Sequence, residues 1–166
     1  DRDMSDLWHL IHASSSPRLS AQEETCADGL TALSLREVAR RHADEHRWLE
    51  SERIGRDLGP VAYLQWRKRY WRTFCRWRYL EHLLGTCRYA EFPVQRYNTL
   101  RWHSDWTCDH VMEFALRRLL RDDREQLELY YEAPAELPRQ RLTEVLSLLG
   151  FNDARVSPPD WLLTSD

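Results

Sequence analysis

Residues 60–84 restrict the fold of this chain most, because they have the pattern of one long helix with two different faces. Pro60 suits a first helical turn, where no N–H is needed, and Gly85 suits a left-handed cap at the end. The helical period places large apolar side chains on one face: Tyr63, Trp66, Tyr70, Phe74, Trp77, Leu80 and Leu84. Such a face must pack against other elements, so the segment predicts a helical body.

A second helix is predicted directly before this one. Ser34 and Glu37 have the spacing of a capping box, and apolar residues follow at helical spacing through residue 53. The glycines at 55 and 59 leave room for only a short turn before Pro60. The two helices, 35–53 and 60–84, are therefore expected to form a long antiparallel pair.

The remaining segments predict an α+β fold that is predominantly α-helical, in one domain over residues 1–166. Residues 1–33 are expected to form short helices and loops, including helices near 7–11 and 20–27. Residues 86–166 predict a helix capped by Ser104 or Thr107, followed by a strand–helix–strand unit. The predicted strands, at residues 87–92, 127–131 and 154–156, would form a small C-terminal sheet beside a helix from Pro138 to Leu149.

Composition narrows the class of protein. The 166 residues are 42% hydrophobic and 31% charged, as in a globular domain. No apolar run is long enough to span a bilayer, and the first residues lack the pattern of a signal peptide. The 4 cysteines follow no disulfide framework, so reduced thiols and a cytoplasmic location are expected.

The net charge of −3 conceals one basic segment. Residues 65–88 contain seven basic side chains and only one acidic one. Four of the basic side chains gather opposite the apolar face of the long helix, with Trp71 beside them as an aromatic anchor. We define this group as the basic stripe: Lys68, Arg69, Arg72 and Arg76.

Three interpretations of the basic stripe are open. The stripe would form ion pairs with acidic residues of the neighbouring helix, such as Glu45, Glu50 and Glu52, bind an acidic partner protein, or bind nucleic acid. Among the functions, we expect a non-catalytic accessory or adaptor protein that binds a protein partner through Lys68, Arg69, Trp71, Arg72 and Arg76. Nucleic-acid binding by the same stripe is the alternative.

Two sets of residues have zinc-ligand chemistry. His42, Glu45 and His46 form an H-x-x-E-H pattern, in which both imidazoles would bind zinc and Glu45 would activate a water. A small zinc-dependent hydrolase is therefore a third hypothesis, with Glu125 or Glu128 as a further ligand. The second set, His103, Cys108 and His110, would hold a structural metal. No cofactor is predicted, and zinc is the alternative at either place.

Phosphate-binding, dinucleotide-binding and nucleophile-elbow motifs are absent. The chain has no G-x-x-x-x-G-K-[ST], no G-x-G-x-x-G and no G-x-S-x-G. Nucleotide hydrolysis, dinucleotide redox chemistry and the α/β-hydrolase mechanism therefore have no support in the sequence.

The sequence from His46 to Gly59, HRWLESERIGRDLG, resembles a motif of uncharacterised bacterial proteins. Some of those proteins carry the motif beside a lipopolysaccharide-kinase-like domain. In a second uncharacterised set the similarity continues to Gly85. The resemblance implies no catalytic residue. It suggests a shared structural corner between the two helices, closed by a polar network of His46, Trp48, Glu52, Gly55, Arg56 and Asp57.

Overall fold

The computed structural model describes residues 31–103 and 109–163, without the side chain of Trp102. The helices predicted near residues 7–11 and 20–27, the caps Ser104 and Thr107, and Cys108 lie outside the described residues. Within the described residues, no helix is both long enough and apolar enough to cross a bilayer.

The two predicted helices form the antiparallel pair. Helix α1 spans Leu35–Ile54 and helix α2 spans Pro60–Leu84. The Ser34 side chain accepts a hydrogen bond from the N–H of Glu37, as a capping residue should. Gly55 and Gly85 both end their helices in the left-handed conformation, with φ of 77° and 72°.

A carboxylate from a distant loop also caps helix α1. Glu91 accepts hydrogen bonds from the N–H of Leu35 at 2.8 Å and of Arg36 at 3.3 Å, and from the hydroxyl of Ser34 at 3.1 Å. The first N–H groups of a helix have no partner within it, and the helix dipole favours a negative charge there. Glu91 therefore fixes the loop after α2 to the start of α1.

The C-terminal half is also helical. Helix α3 spans His110–Leu116 and continues into a π-helical turn at Arg117–Arg121, while helix α4 spans Gln126–Glu132 and helix α5 spans Arg139–Leu149. Short 3-10 turns lie at Val94–Arg96, Leu100–Trp102, Phe151–Ala154 and Asp160–Leu162. One cluster of buried apolar side chains joins these elements to α1 and α2.

The predicted C-terminal sheet is wrong for the described residues, which contain no strand. Residues 127–131 belong to helix α4. Their alternating pattern is misleading because Glu128 accepts the backbone N–H of Glu125 at 2.9 Å, a contact that starts a helix. Residues 87–92 provide only an isolated parallel bridge between Tyr89 and Leu33, and residues 154–156 follow a 3-10 turn.

Candidate functional site

Two cations of the basic stripe are bound within the chain. Arg72 donates from Nε to Asp123 Oδ1 at 2.8 Å and from Nη1 to Glu125 Oε1 at 2.9 Å, and a further short contact joins its Nη2 to Asp123. Arg76 is only 6% exposed. Its Nη1 donates to the carbonyl oxygens of Leu119 at 2.8 Å and Arg124 at 2.9 Å.

These contacts match the interpretation of internal ion pairing, but with different partners. The carboxylates belong to Asp123 and Glu125, in the connection to α4, rather than to the acidic residues of α1. Glu50 instead pairs with Arg53 on its own helix at 2.7 Å. Burial lowers the pKa of Arg76, opposed by Glu125 and Asp123, whereas the hydrogen bonds that Arg72 donates to Asp123 raise the pKa of Arg72.

Trp71 lies in the core and not at a surface. It is 8% exposed, its indole N–H donates to the carbonyl of Val156 at 2.9 Å, and its ring stacks on Phe74 at 5.9 Å. Of the five predicted partner-binding residues, Lys68 and Arg69 are exposed and lack an ion pair among the described residues. The guanidinium of Arg69 lies over the ring of Tyr70 at 5.2 Å.

The turn between α1 and α2 carries a second group of exposed residues. We define the hairpin tip as four large apolar side chains at this end of the helix pair: Trp48, Leu49, Ile54 and Val61. Their exposed fractions are 62%, 36%, 48% and 50%. Trp48 also borders an open groove of about 510 Å³, with Glu52, Arg56 and Tyr63 among its other lining residues.

A polar network holds the turn beneath the hairpin tip. Arg47 binds Asp57 through two hydrogen bonds, of 3.0 Å and 2.6 Å, and Asp57 accepts the N–H of Gly59 at 2.9 Å. Ser51 Oγ accepts the N–H of Leu58 at 3.0 Å. The bonds from Arg47 and Gly59 lower the pKa of Asp57 to about 2. The turn is thus closed by its own side chains.

The network differs in membership from the one that the motif suggested. Gly55 and Asp57 take part, whereas the side chains of Trp48, Glu52 and Arg56 are exposed. The ring of His46 packs edge-on against Tyr70 at 5.7 Å, outside the network. Sequence reasoning missed Arg47 and Ser51, although both lie in the motif, because a helical Arg or Ser gives no sign of which carboxylate or N–H it will contact.

The H-x-x-E-H residues do not form a zinc site in this structure. His42 Nε2 lies 3.2 Å from Arg78 Nη2, and because a guanidinium only donates, that nitrogen must accept. Burial, with Arg78 and Arg41, lowers the pKa of His42 to about 4. The lone pair that zinc would need is therefore already used.

The other predicted ligands are also separate. His103 and His110 are exposed, and Cys108 lies outside the described residues. Both ring nitrogens of buried His82 are occupied, since Nδ1 accepts the N–H of Tyr89 and Nε2 contacts the carbonyl of Pro93, each at 3.1 Å. Across residues 31–103 and 109–163, no three His, Cys, Asp or Glu side chains converge as metal ligands would.

Comparison of the chain with family models, with curated proteins and with solved structures finds no match.

Proposed function

We propose that this chain is a non-catalytic accessory protein that binds another protein through the hairpin tip and the adjoining exposed face of α2. One observation carries the proposal: four large apolar side chains are exposed at the end of the helix pair whose turn has its own polar network. A side chain of this kind normally gains from burial, by about 1.5–3 kcal/mol when burial is complete. The exposure of four such side chains at one end of the helix pair is therefore costly unless a partner covers them.

The rigidity of the turn supports a docking role. Gly55 and Gly59 have φ of 77° and 56°, and the bonds to Asp57 and Ser51 fix the residues between the helices. A surface that is already ordered loses little conformational entropy on binding. Trp48 has the properties of a binding hot spot, since Trp is enriched among the residues that dominate interface energies.

The cations that remain exposed extend this surface. Val61, Lys68 and Arg69 lie on the exposed face of α2 at helical spacing. A partner that covers the hairpin tip and continues along α2 would meet these positive charges. We therefore infer an acidic group on the partner beside its apolar contact.

Nucleic-acid binding is less well supported. Arg72 and Arg76 of the basic stripe are paired within the chain. Of its four cations, Lys68 and Arg69 stay available to a ligand. Affinity for a polyanion rises with the number of phosphates neutralised, so two cations on a chain of net charge −3 give weak binding. The apolar character of the hairpin tip also favours a protein partner.

Site-specific photo-crosslinking in the source cells tests the proposal. A benzophenone amino acid at position 48 should give a discrete protein adduct, and the same residue at position 94 should not. Val94 is a matched control because it is also an exposed apolar residue, at 53%. Adding Ile54→Asp and Val61→Asp should remove the adduct, since both changes place a charge in the apolar contact.

Two results would contradict a docking role for the hairpin tip. One is the absence of any adduct from positions 48, 54 and 61. The other is the same pattern of adducts from positions 48 and 94, because nonspecific collision gives that pattern. Circular dichroism of the double variant must match the unchanged protein, as expected for two side chains that are about half exposed.

A further inference from the structure

A cavity of about 260 Å³ lies between α2 and the C-terminal segment, away from the hairpin tip. Its walls are mainly apolar and its lining includes Trp71, Cys75, Phe151, Val156 and Pro158. Charged side chains also line it: Arg72, Arg76, Arg155 and Glu125. Apolar walls with a few convergent polar groups are the usual composition of a small-molecule site.

Three guanidiniums of this cavity converge on one carboxylate. Glu125 contacts Arg72 at 2.9 Å, Arg76 at 3.4 Å and Arg155 at 3.0 Å. The only other carboxylate in these ion pairs is Asp123, which Arg72 and Arg76 also bind. The paired group thus has three positive and two negative charges. Arg76 is 6% exposed, so these two carboxylates compensate its charge, whereas the side chains of Arg72 and Arg155 are 52% and 69% exposed.

Arg155 has hydrogen-bonding capacity to spare. Its side chain is 69% exposed, and among the described residues only its Nη2 has a partner, which is Glu125. A guanidinium carries further donors on Nε and Nη1. The contacts with Glu125 show that the arginines here bind a carboxylate. A carboxylate is the planar group that matches a guanidinium in two-bond geometry.

We propose that this cavity binds a small organic monocarboxylate with an aromatic or aliphatic body. The ligand carboxylate contacts Arg155 and Arg72 and balances the surplus positive charge. The apolar body lies against Trp71, Phe151 and Val156. A volume of about 260 Å³ suits a ligand of the size of benzoate rather than a nucleotide. The cavity shares no lining residue with the hairpin tip, so the site is independent of the proposed partner surface.

Calorimetric titration with benzoate, and with neutral benzamide as its isostere, tests this site. Benzoate should bind at millimolar concentration or below, at least about tenfold more tightly than benzamide, because a charge-assisted pair is lost in the amide. Arg155→Gln should weaken benzoate binding by about tenfold. Arg121→Gln, an exposed arginine outside the cavity, should leave the affinity unchanged.

Glu125→Gln tests whether the internal carboxylate competes with the ligand for the arginines. Removing the internal carboxylate relieves competition for the arginines, so benzoate should bind more tightly to this variant. Equal affinity for benzoate and benzamide would overturn the proposal, as would an unchanged affinity in Arg155→Gln. Absence of binding up to about 10 mM benzoate would overturn it as well. None of these results affects crosslinking at position 48.

Discussion

At the scale of single residues, two buried histidines have opposite tautomers. Nε2 of His42 accepts from Arg78, so its proton lies on Nδ1. Nδ1 of His82 accepts the N–H of Tyr89, so its proton lies on Nε2 and is donated to the carbonyl of Pro93. Each ring is neutral because burial and its partners disfavour a second proton. Burial is also the main cause that lowers both pKa values.

The neutrality of His42 predicts a loss of stability in acid. Its pKa is about 4 in the folded chain and 6.5 as the reference value, so the unfolded state binds the proton first as pH falls. The contribution of neutral His42 to the free energy of unfolding is complete above pH 6.5 and is lost between pH 6.5 and 4. Urea unfolding gives the free energy of unfolding at about pH 7.5 and 4.5. Between these pH values it should fall by about 2–3 kcal/mol less in His42→Gln than in the unchanged protein.

His110→Gln is the control for this experiment because His110 is exposed. It should lose as much stability in acid as the unchanged protein. His82 titrates in the same direction in all three proteins, so the difference between variants isolates His42. Equal losses of stability in His42→Gln and His110→Gln would show that burial and the contact with Arg78 do not keep His42 neutral.

At the scale of elements, local signals predicted helices well and pairing between segments poorly. The bounds of α2 follow from Pro60 and Gly85, and the prediction of α1 ended one residue early, at 53 instead of Ile54. Helix α5 was also predicted, from its proline and Gly150. The strand predicted at 127–131 failed because alternation over five residues also suits a short helix with one buried side chain, here Leu129.

The cap of α1 by Glu91 gives a prediction at this scale. Glu91→Ala removes three hydrogen bonds at the start of α1 and should lower the free energy of unfolding by about 1–2 kcal/mol. Glu91→Gln keeps an acceptor oxygen and should recover roughly half of that loss. Denaturant unfolding followed by far-UV circular dichroism measures both values.

Glu37→Ala is the matched control, since Glu37 is also an acidic residue in the first turn of α1 but is exposed. Its effect should be a few tenths of a kcal/mol, as for a solvated charge near a helix dipole. Equal losses in Glu37→Ala and Glu91→Ala would show that the contacts of Glu91 contribute no more than its charge.

At the scale of the whole molecule, the candidate sites depend on contacts between distant segments. The helical pattern placed Arg76 on a basic stripe opposite the main apolar face of α2, yet the turn at Arg117–Arg121 and the residues after it cover that side chain. No local signal fixes the path of that connection. The assignment of Trp48 to the polar network failed for a similar reason. The exposure of a side chain depends on which surfaces the rest of the chain covers.

Arg76 connects α2 to the C-terminal half, and its replacement tests how far the two depend on each other. Arg76→Met keeps much of the apolar volume but leaves the carbonyls of Leu119 and Arg124 without this donor and removes a cation from Asp123 and Glu125. Asp123 and Glu125 are 40% and 35% exposed and keep their contacts with Arg72. The main loss is therefore the buried donor to the two carbonyls, so Arg76→Met should cost about 1–3 kcal/mol. Arg69→Met, on the exposed side of the same helix, should cost less than about 0.5 kcal/mol.

Thermal and denaturant unfolding of both variants measures the difference. A loss in Arg76→Met no larger than that in Arg69→Met would mean that apolar packing alone holds the C-terminal half on α2. A large loss with one cooperative transition would mean that the buried guanidinium makes the hairpin and the C-terminal helices unfold as a unit.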